Sequence, residues 1–283
     1  QGSNPYTFEF IDGQNGDGGV DESWGPPLDI GLEFVQWDNY KYGGAATPWV
    51  SQPDNIKDFF ETGIQLSNNI SFTGGSEDLT YRLSVGNFSQ TGMVPNTDYR
   101  RFNVGASASQ KIGDKLTTSI NFTYTKSGSD NLPFVGYDNE NPVQQFVWSG
   151  RNVDFNALRD WRNLPLAAVG TAAEGTPLNW NTVFQNNPFW VLDTNLRDFD
   201  KDRIIGNISA LYEVNEHFTV STKVGMDHWN SIATQRRAFG SNNAPNGSYS
   251  ETIRSYTDTN AEVLLSHTTE FTEDIGFDMS FGG

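Results

Sequence analysis

The sequence predicts an all-β chain, a transmembrane antiparallel β-barrel, on three observations. From Gly63 onward it alternates apolar and polar residues in stretches longer than the five or six residues usual in soluble strands. The connections between these stretches alternate between short and long. No run approaches the length of about 18 apolar residues that a membrane helix needs, and the mean hydropathy is −0.54. An alternating strand hides its lipid-facing half from such an average, so a low mean hydropathy and a membrane wall are compatible.

In chain order, residues 1–62 are expected to hold the end of one barrel strand and an extracellular loop. Four barrel strands follow over 63–128, as stretches at about 63–73, 79–92, 99–112 and 115–128. Between Arg100 and Ile112, Phe102, Val104, Ala106, Ala108 and Ile112 share one parity, and Arg101, Asn103, Gly105, Ser107, Ser109 and Lys111 share the other. Side chains on a strand alternate faces, so one face is apolar and the other polar. Residues 115–128 repeat this, with Leu116, Thr118, Ile120, Phe122 and Tyr124 set against Thr117, Ser119, Asn121, Thr123 and Thr125. Residues 129–200 form a long extracellular loop with a short helical part, in which Asn141-Pro142 supplies a cap and first turn. Four more strands are expected over 201–283, at about 201–214, 217–239, 249–271 and a clipped one at 275–281.

Tight turns at 74–78, 113–115, 215–217 and 272–274 are rich in Gly, Asp, Glu and Asn, which suits hairpins. Longer connections run over 93–98, 128–200 and 240–248. Short turns at one rim and long loops at the other is the outer-membrane arrangement, with the short turns periplasmic and the loops extracellular. Tyr81, Tyr99, Phe122, Tyr124, Tyr212 and Phe218 fall near strand ends, where an interfacial aromatic girdle would lie. The chain opens without a basic region and apolar core and stops partway along a strand, so it reads as a piece of a larger barrel.

Charge and composition exclude several roles. With 18 basic and 35 acidic residues the formal net charge is −17, a surface that repels nucleic acid. Zero Cys removes disulfides, Cys-ligated zinc and thiol catalysis. His217, His228 and His267 are scattered, and Asp227 and His228 are adjacent strand residues that point to opposite faces. No Gly-x-Ser-x-Gly elbow, His-Glu-x-x-His or P-loop is present, so the chain is not expected to be an enzyme.

Within the strands, Arg82 stands on the parity opposite Tyr81, Leu83 and Val85, and Lys223 and Asp227 stand opposite Val220, Val224 and Met226. Each is expected to face a water-filled lumen, because a cation on the lipid face costs roughly 2–4 kcal/mol at the midplane. In the 129–200 loop, Trp148, Trp161, Trp180 and Trp190, with Phe189, either stack on a sugar or peptide cargo or form the loop's own core. Arg151, Arg159 and Arg162 are donors for an anionic substrate or for the neighbouring Asp154 and Asp160. No cofactor is expected. The segment from Asp12 to Glu22 is either a flexible Gly/Asp turn or a calcium site of looser geometry than an EF-hand, with Asp12, Asn15, Asp17 and Asp21 as hard oxygen donors.

The stretches DFFETGIQLSNNISFTGG (Asp58–Gly75), TGMVPNTDYRR (Thr91–Arg101), DESWGPPLD (Asp21–Asp29), VWSGRNVDFNALRDW (Val147–Trp161), NNPFWVL (Asn186–Leu192) and KDRIIGNISALYEV (Lys201–Val214) together resemble the SusC/RagA-type TonB-dependent transporters of Bacteroidota. The resemblance implies a plugged barrel of about 22 strands in the bacterial outer membrane, of which this chain is the early and middle wall. It also implies import of oligosaccharides or peptides beneath a SusD-like surface lipoprotein lid, driven by the TonB complex, in a setting of lipid bilayer and lipopolysaccharide. No stretch resembling the plug domain or the TonB box is found in these residues. A surface-binding or adhesion barrel without active transport is the alternative.

Overall fold

The computed structural model describes residues 25–283. A short ribbon, β1 (Glu33–Phe34) against β2 (Thr47–Pro48), and a helix α1 (Asn55–Phe59) precede the main sheet. Eight strands then run as an uninterrupted antiparallel meander: β3 (Ile64–Gly75), β4 (Leu79–Thr91), β5 (Asp98–Ile112), β6 (Leu116–Ser129), β7 (Arg197–Glu213), β8 (Phe218–Ser241), β9 (Ala244–Thr272) and β10 (Ile275–Gly282). Each pairs with its sequence neighbours, and β3 and β10 form the two edges. The sheet is open, as expected of part of a barrel wall. No helix of the described residues is long and apolar enough to cross a membrane.

The register carries the period-2 pattern across all eight strands. One row of directly paired residues reads Phe72, Leu83, Ala106, Phe122, Gly206 and Met226, and its neighbour reads Ile70, Val85, Val104, Tyr124 and Ile204. The apolar residues of this face are left uncovered: Phe72 is 67% and Ile208 61% exposed. Along β8 to β10 the apolar positions shift toward the short turns, through Val220, Val224, Val263, Leu265, Phe277, Met279 and Phe281. A stagger of this kind is what strands tilted in a barrel require to keep one belt level with the membrane. Tyr99 departs from the expected girdle. It pairs with Gln90 on the polar face, and its ring meets Phe88 and Phe199 there, because its parity is that of Arg101 rather than Phe102.

The short turns are locally encoded. Gly113 holds φ at 60°, in the left-handed region that glycine enters without a Cβ penalty. The Asn215 carboxamide accepts the amides of His217 and Phe218, which closes the turn between β7 and β8. The stretch 240–248, expected as a long loop, is instead strand: β8 and β9 continue pairing to Ser241 and Ala244, leaving a two-residue turn at Asn242-Asn243. Gly240 and Gly247, which read as loop formers, are strand residues at φ of 85° and 69°. At the other end of the 129–200 segment β7 begins at Arg197, four residues before the expected start.

Residues 25–62 and 130–196 are not two separate loops. They share one hydrophobic core, built from Trp37 and Phe59 of the first segment and Val153, Phe155, Leu158, Trp180, Phe189 and Leu192 of the second. Phe59 is its hinge point: its ring packs edge-on against Phe60, Phe146 and Phe155 and tilted against Phe189. Helical content in the second segment is broken into short pieces, 3-10 turns at Pro142–Gln144, Phe155–Leu158 and Trp161–Asn163, with α2 (Gln145–Trp148) and α3 (Pro188–Thr194). Asn141 caps the first of these with Pro142 in its opening turn. The result is a compact cap on the long-loop end of the sheet.

Candidate functional site

Two regions hold the candidate residues, the cap and the polar face of the sheet below it. The cap is held by carboxamides as much as by apolar packing. Asn187 caps α3 by accepting the amides of Phe189 and Trp190, while its Nδ2 donates to the carbonyls of Leu158 and Leu178. Asn131 donates to the carbonyls of Asn96 and Leu192, which ties the turn between β4 and β5 to the cap. Asn186 and Asn195 grip the tip of the β8–β9 hairpin: the Asn186 carboxamide donates to the Gly240 carbonyl and accepts the Asn242 amide, and Asn195 accepts the Ala238 amide and donates to Ser241. Carboxamides suit this role because one side chain both donates and accepts, so each can satisfy two buried backbone groups.

Trp180 is enclosed in this core at 0% exposure, and Trp190, on α3, is also buried at 7%. An indole without a free face cannot stack on a cargo, so burial assigns both to packing; the Trp180 Nε1–H donates to Gln145 Oε1 at 3.0 Å. Trp148 and Trp161 are half-buried at the edge of the core. Trp148 meets the exposed ring of Tyr137 edge-on at 6.5 Å, and Trp161 donates to Asp193 and lies 4.1 Å beneath the Arg162 guanidinium.

The arginines find partners distant in sequence rather than Asp154 and Asp160. Arg159 reaches Glu61 at 2.7 Å and donates to the carbonyls of Asp58 and Phe59 at the end of α1, with its guanidinium 4.7 Å over Phe189. Arg162 pairs with Asp193 at 3.2 Å. Arg151 donates to the Pro53 carbonyl and is exposed. Asp154 instead accepts the amides of Asn156 and Ala157 as a helix cap, and Asp160 accepts from the Asn163 carboxamide. A contact that sequence spacing does not signal is Glu140, 1% exposed, whose carboxylate accepts from Asn195 and stands 3.5 Å from Arg237 of β8. Burial pushes its carboxyl above the usual range, and Asn195 and Arg237 offset part of that rise.

On the sheet, Arg82 pairs in register with Thr73 and Ser107, and Lys223 with Ser209 and Glu262, all on the polar face. Asp227 shares that face and accepts two hydrogen bonds from Arg203, Nε to Oδ1 at 2.8 Å and Nη2 to Oδ2 at 2.5 Å, a bidentate pair. Arg82, Lys223 and Asp227 occupy different rows of this wall and do not converge on one point. The four oxygen donors considered for calcium, Asp12, Asn15, Asp17 and Asp21, lie outside the described residues.

No family model matches the chain. In sequence it is similar to TonB-dependent receptor P26 of Formosa agariphila, 24% identical over 217 residues, covering 72% of this chain and 19% of that receptor. It is also similar to TonB-dependent receptor P3 of the same organism, 26% identical over 95 residues, covering 34% of this chain and 9% of the receptor. In structure it superposes on the RagAB peptide transporter with a TM-score of 0.61 at 17% identity, covering 82% of this chain and 25% of that one. It matches the RagAB peptide importer in its closed-closed state with a TM-score of 0.59, also at 17% identity, covering 80% and 24%. The chain thus spans about a fifth of the longer receptor match and about a quarter of the solved chains. In sequence the chain is thus similar to part of two TonB-dependent receptors, and in fold to part of the RagAB transporter.

Proposed function

We propose that this chain forms part of the wall and the extracellular vestibule of a TonB-dependent outer-membrane importer. The observation that carries the reading is the division of the eight-stranded sheet into two faces. One presents uncovered Ile, Leu, Val, Phe and Met to its surroundings; the other presents Ser, Thr, Asn and charged side chains. A wall with lipid on one side and water on the other has this composition, and a soluble sheet does not leave so many large apolar side chains exposed. The polar face then lines the lumen, with Arg82, Lys223 and Asp227 in contact with the passage or with a plug.

The cap stands at the end with the long loops, above the polar face, where a cargo arrives. Its exposed Tyr137 and Val147 beside Trp148, with Arg151 and Trp161, offer aromatic and cationic contacts to an oligosaccharide or peptide or to a SusD-like lipoprotein lid. Transport in the whole protein would proceed by capture between lid and barrel and by TonB-driven displacement of a plug.

Two measurements on the whole protein test this. Uptake of fluorescent oligosaccharide and peptide pools into cells is expected to disappear when TonB is deleted, and a surface lipoprotein is expected to co-purify. Uptake unaffected by loss of TonB, with no lipoprotein bound, would instead indicate a surface-binding barrel.

A further inference from the structure

The acidic chain carries a cationic row on one side of one strand set. In β7 the run Asp198-Phe199-Asp200-Lys201-Asp202-Arg203 alternates so that the carboxylates take the apolar side, above the belt, while Phe199, Lys201 and Arg203 take the polar face. Across the sheet, Lys201 belongs to a row of directly paired residues: Arg101 on β5, Ser127 on β6, Lys201 on β7, Ser231 on β8 and Arg254 on β9. Its cations therefore recur on every second strand, about 10 Å apart, with serine hydroxyls between them. Among the described residues Arg101, Lys201 and Arg254 form no ion pair, whereas Arg203 one row below is neutralised by Asp227. The facing acids are Asp227, already engaged, and Asp258, its partner in the row below Arg203. Unpaired cations set against hydroxyls give this row a local excess of positive charge.

Aromatic rings accompany the charges. Trp229 and Tyr256 are paired in register one row below, stacked with an interplanar angle of 23° and centroids 5.9 Å apart. The Lys201 ammonium lies 4.1 Å over Trp229, and Arg101 lies 5.6 Å over Phe88. A concavity of about 550 Å³ opens on this face, lined by Tyr99, Arg101, Ser127, Lys201 and Arg203 among others.

We propose that this row is a subsite for an acidic oligosaccharide, its carboxylate or sulfate groups held by Arg101, Lys201 and Arg254 and a sugar ring lying against the exposed ring of Tyr256, which Trp229 backs. The proposal rests on the reading that the polar face lines the lumen, and it specifies the cargo of that passage. A sugar chain is favoured over an acidic peptide by the combination of evenly spaced cations, a separation about the length of a disaccharide unit, and the exposed Tyr256 ring beside them. Guanidinium groups that lack a carboxylate partner are free to receive one from the ligand, with bidentate geometry where the oxygens allow it.

The test is titration calorimetry on the full-length transporter in detergent, where binding needs no energy source. The probes are an oligogalacturonate, a sulfated galactan oligomer, a neutral galactan oligomer and an oligoglutamate, matched in length. At least one acidic sugar is expected to bind more tightly than the neutral one. Its affinity should fall about tenfold in the triple variant Arg101→Gln, Lys201→Gln, Arg254→Gln, with most of its salt dependence lost. The charge-keeping variant Arg101→Lys, Lys201→Arg, Arg254→Lys should retain binding, which separates a charge effect from misfolding. The stronger of the two acidic sugars identifies carboxylate or sulfate as the group recognised. Equal affinities in wild type and triple variant would overturn the proposal, as would oligoglutamate binding at least as well as either acidic sugar. Increased protease sensitivity of the plug with ligand affinity unchanged would also overturn it, assigning the row to a plug contact. None of these results depends on TonB, so the subsite can fail while TonB-dependent uptake stands, and the reverse.

Discussion

Glu140 couples two parts of the chain that lie about a hundred residues apart, the start of the cap segment and the end of β8. Its carboxyl is raised above its ordinary value by burial. A group whose folded pKa lies above its unfolded one contributes stability that is complete below the unfolded pKa and is lost as pH rises through the folded pKa. The grip of the cap on the β8–β9 hairpin is therefore expected to weaken as pH climbs from acid through the raised pKa. Amide protection factors at 138–145 and 237–242, followed against pH in wild type and Glu140→Gln, check this. The variant should show little pH dependence, and an unchanged profile would assign the effect elsewhere. Trp180 gives a second residue-scale expectation. Fully enclosed and bonded to Gln145, it should cost about 3–5 kcal/mol of cap stability when replaced by Ala. Limited proteolysis should then cut within 130–196 while the strands stay protected; cleavage of strands and cap together would mean that the two fold as one unit.

The elements were unequally legible in the sequence. The strands announced themselves because a period of two, repeated over 12 residues or more in seven of the eight, has no other common source. What was hidden is instructive. In 240–248, Gly240, Asn242-Asn243 and Gly247 carry the composition of a loop, yet long-range pairing of β8 with β9 overrides that local preference. The cap was hidden more completely, since Phe59, Phe155 and Phe189 meet only in three dimensions and follow no period that a sequence window can detect. The same blindness left Trp180 and Trp190 as cargo candidates and gave Arg159 the wrong carboxylates. The division of faces makes a prediction at this scale. Ile208→Arg places a cation on the apolar face of β7, and Asn207→Arg places one on the polar face, one residue away. The first should cost roughly 2–4 kcal/mol in equilibrium folding into lipid vesicles and the second little. Similar costs at both positions would remove the assignment of lipid to the Ile208 side.

At the scale of the whole molecule, the sheet has two unlike ends. One carries turns of a few residues, and the other carries a cap of more than a hundred residues pinned to the turn between β4 and β5 and to the tip of the β8–β9 hairpin. In outer-membrane barrels the short turns are periplasmic and the long loops extracellular, so this asymmetry predicts the orientation, with the cap on the outside. The lack of cysteine makes this directly measurable, since any thiol introduced is the only one in these residues. Asn243 lies at the tip of the long hairpin and Asp114 in the turn after β5, so Asn243→Cys and Asp114→Cys sample opposite ends of the wall. A membrane-impermeant maleimide added to intact cells should modify Cys at 243 at once, and Cys at 114 only after the outer membrane is opened. Neither substitution touches the apolar belt, so both proteins should insert normally, and the labelling pattern reports orientation alone. The reversed pattern would place the cap in the periplasm, where it could not receive cargo from outside, and would remove the vestibule from the proposed import route while leaving the barrel wall intact.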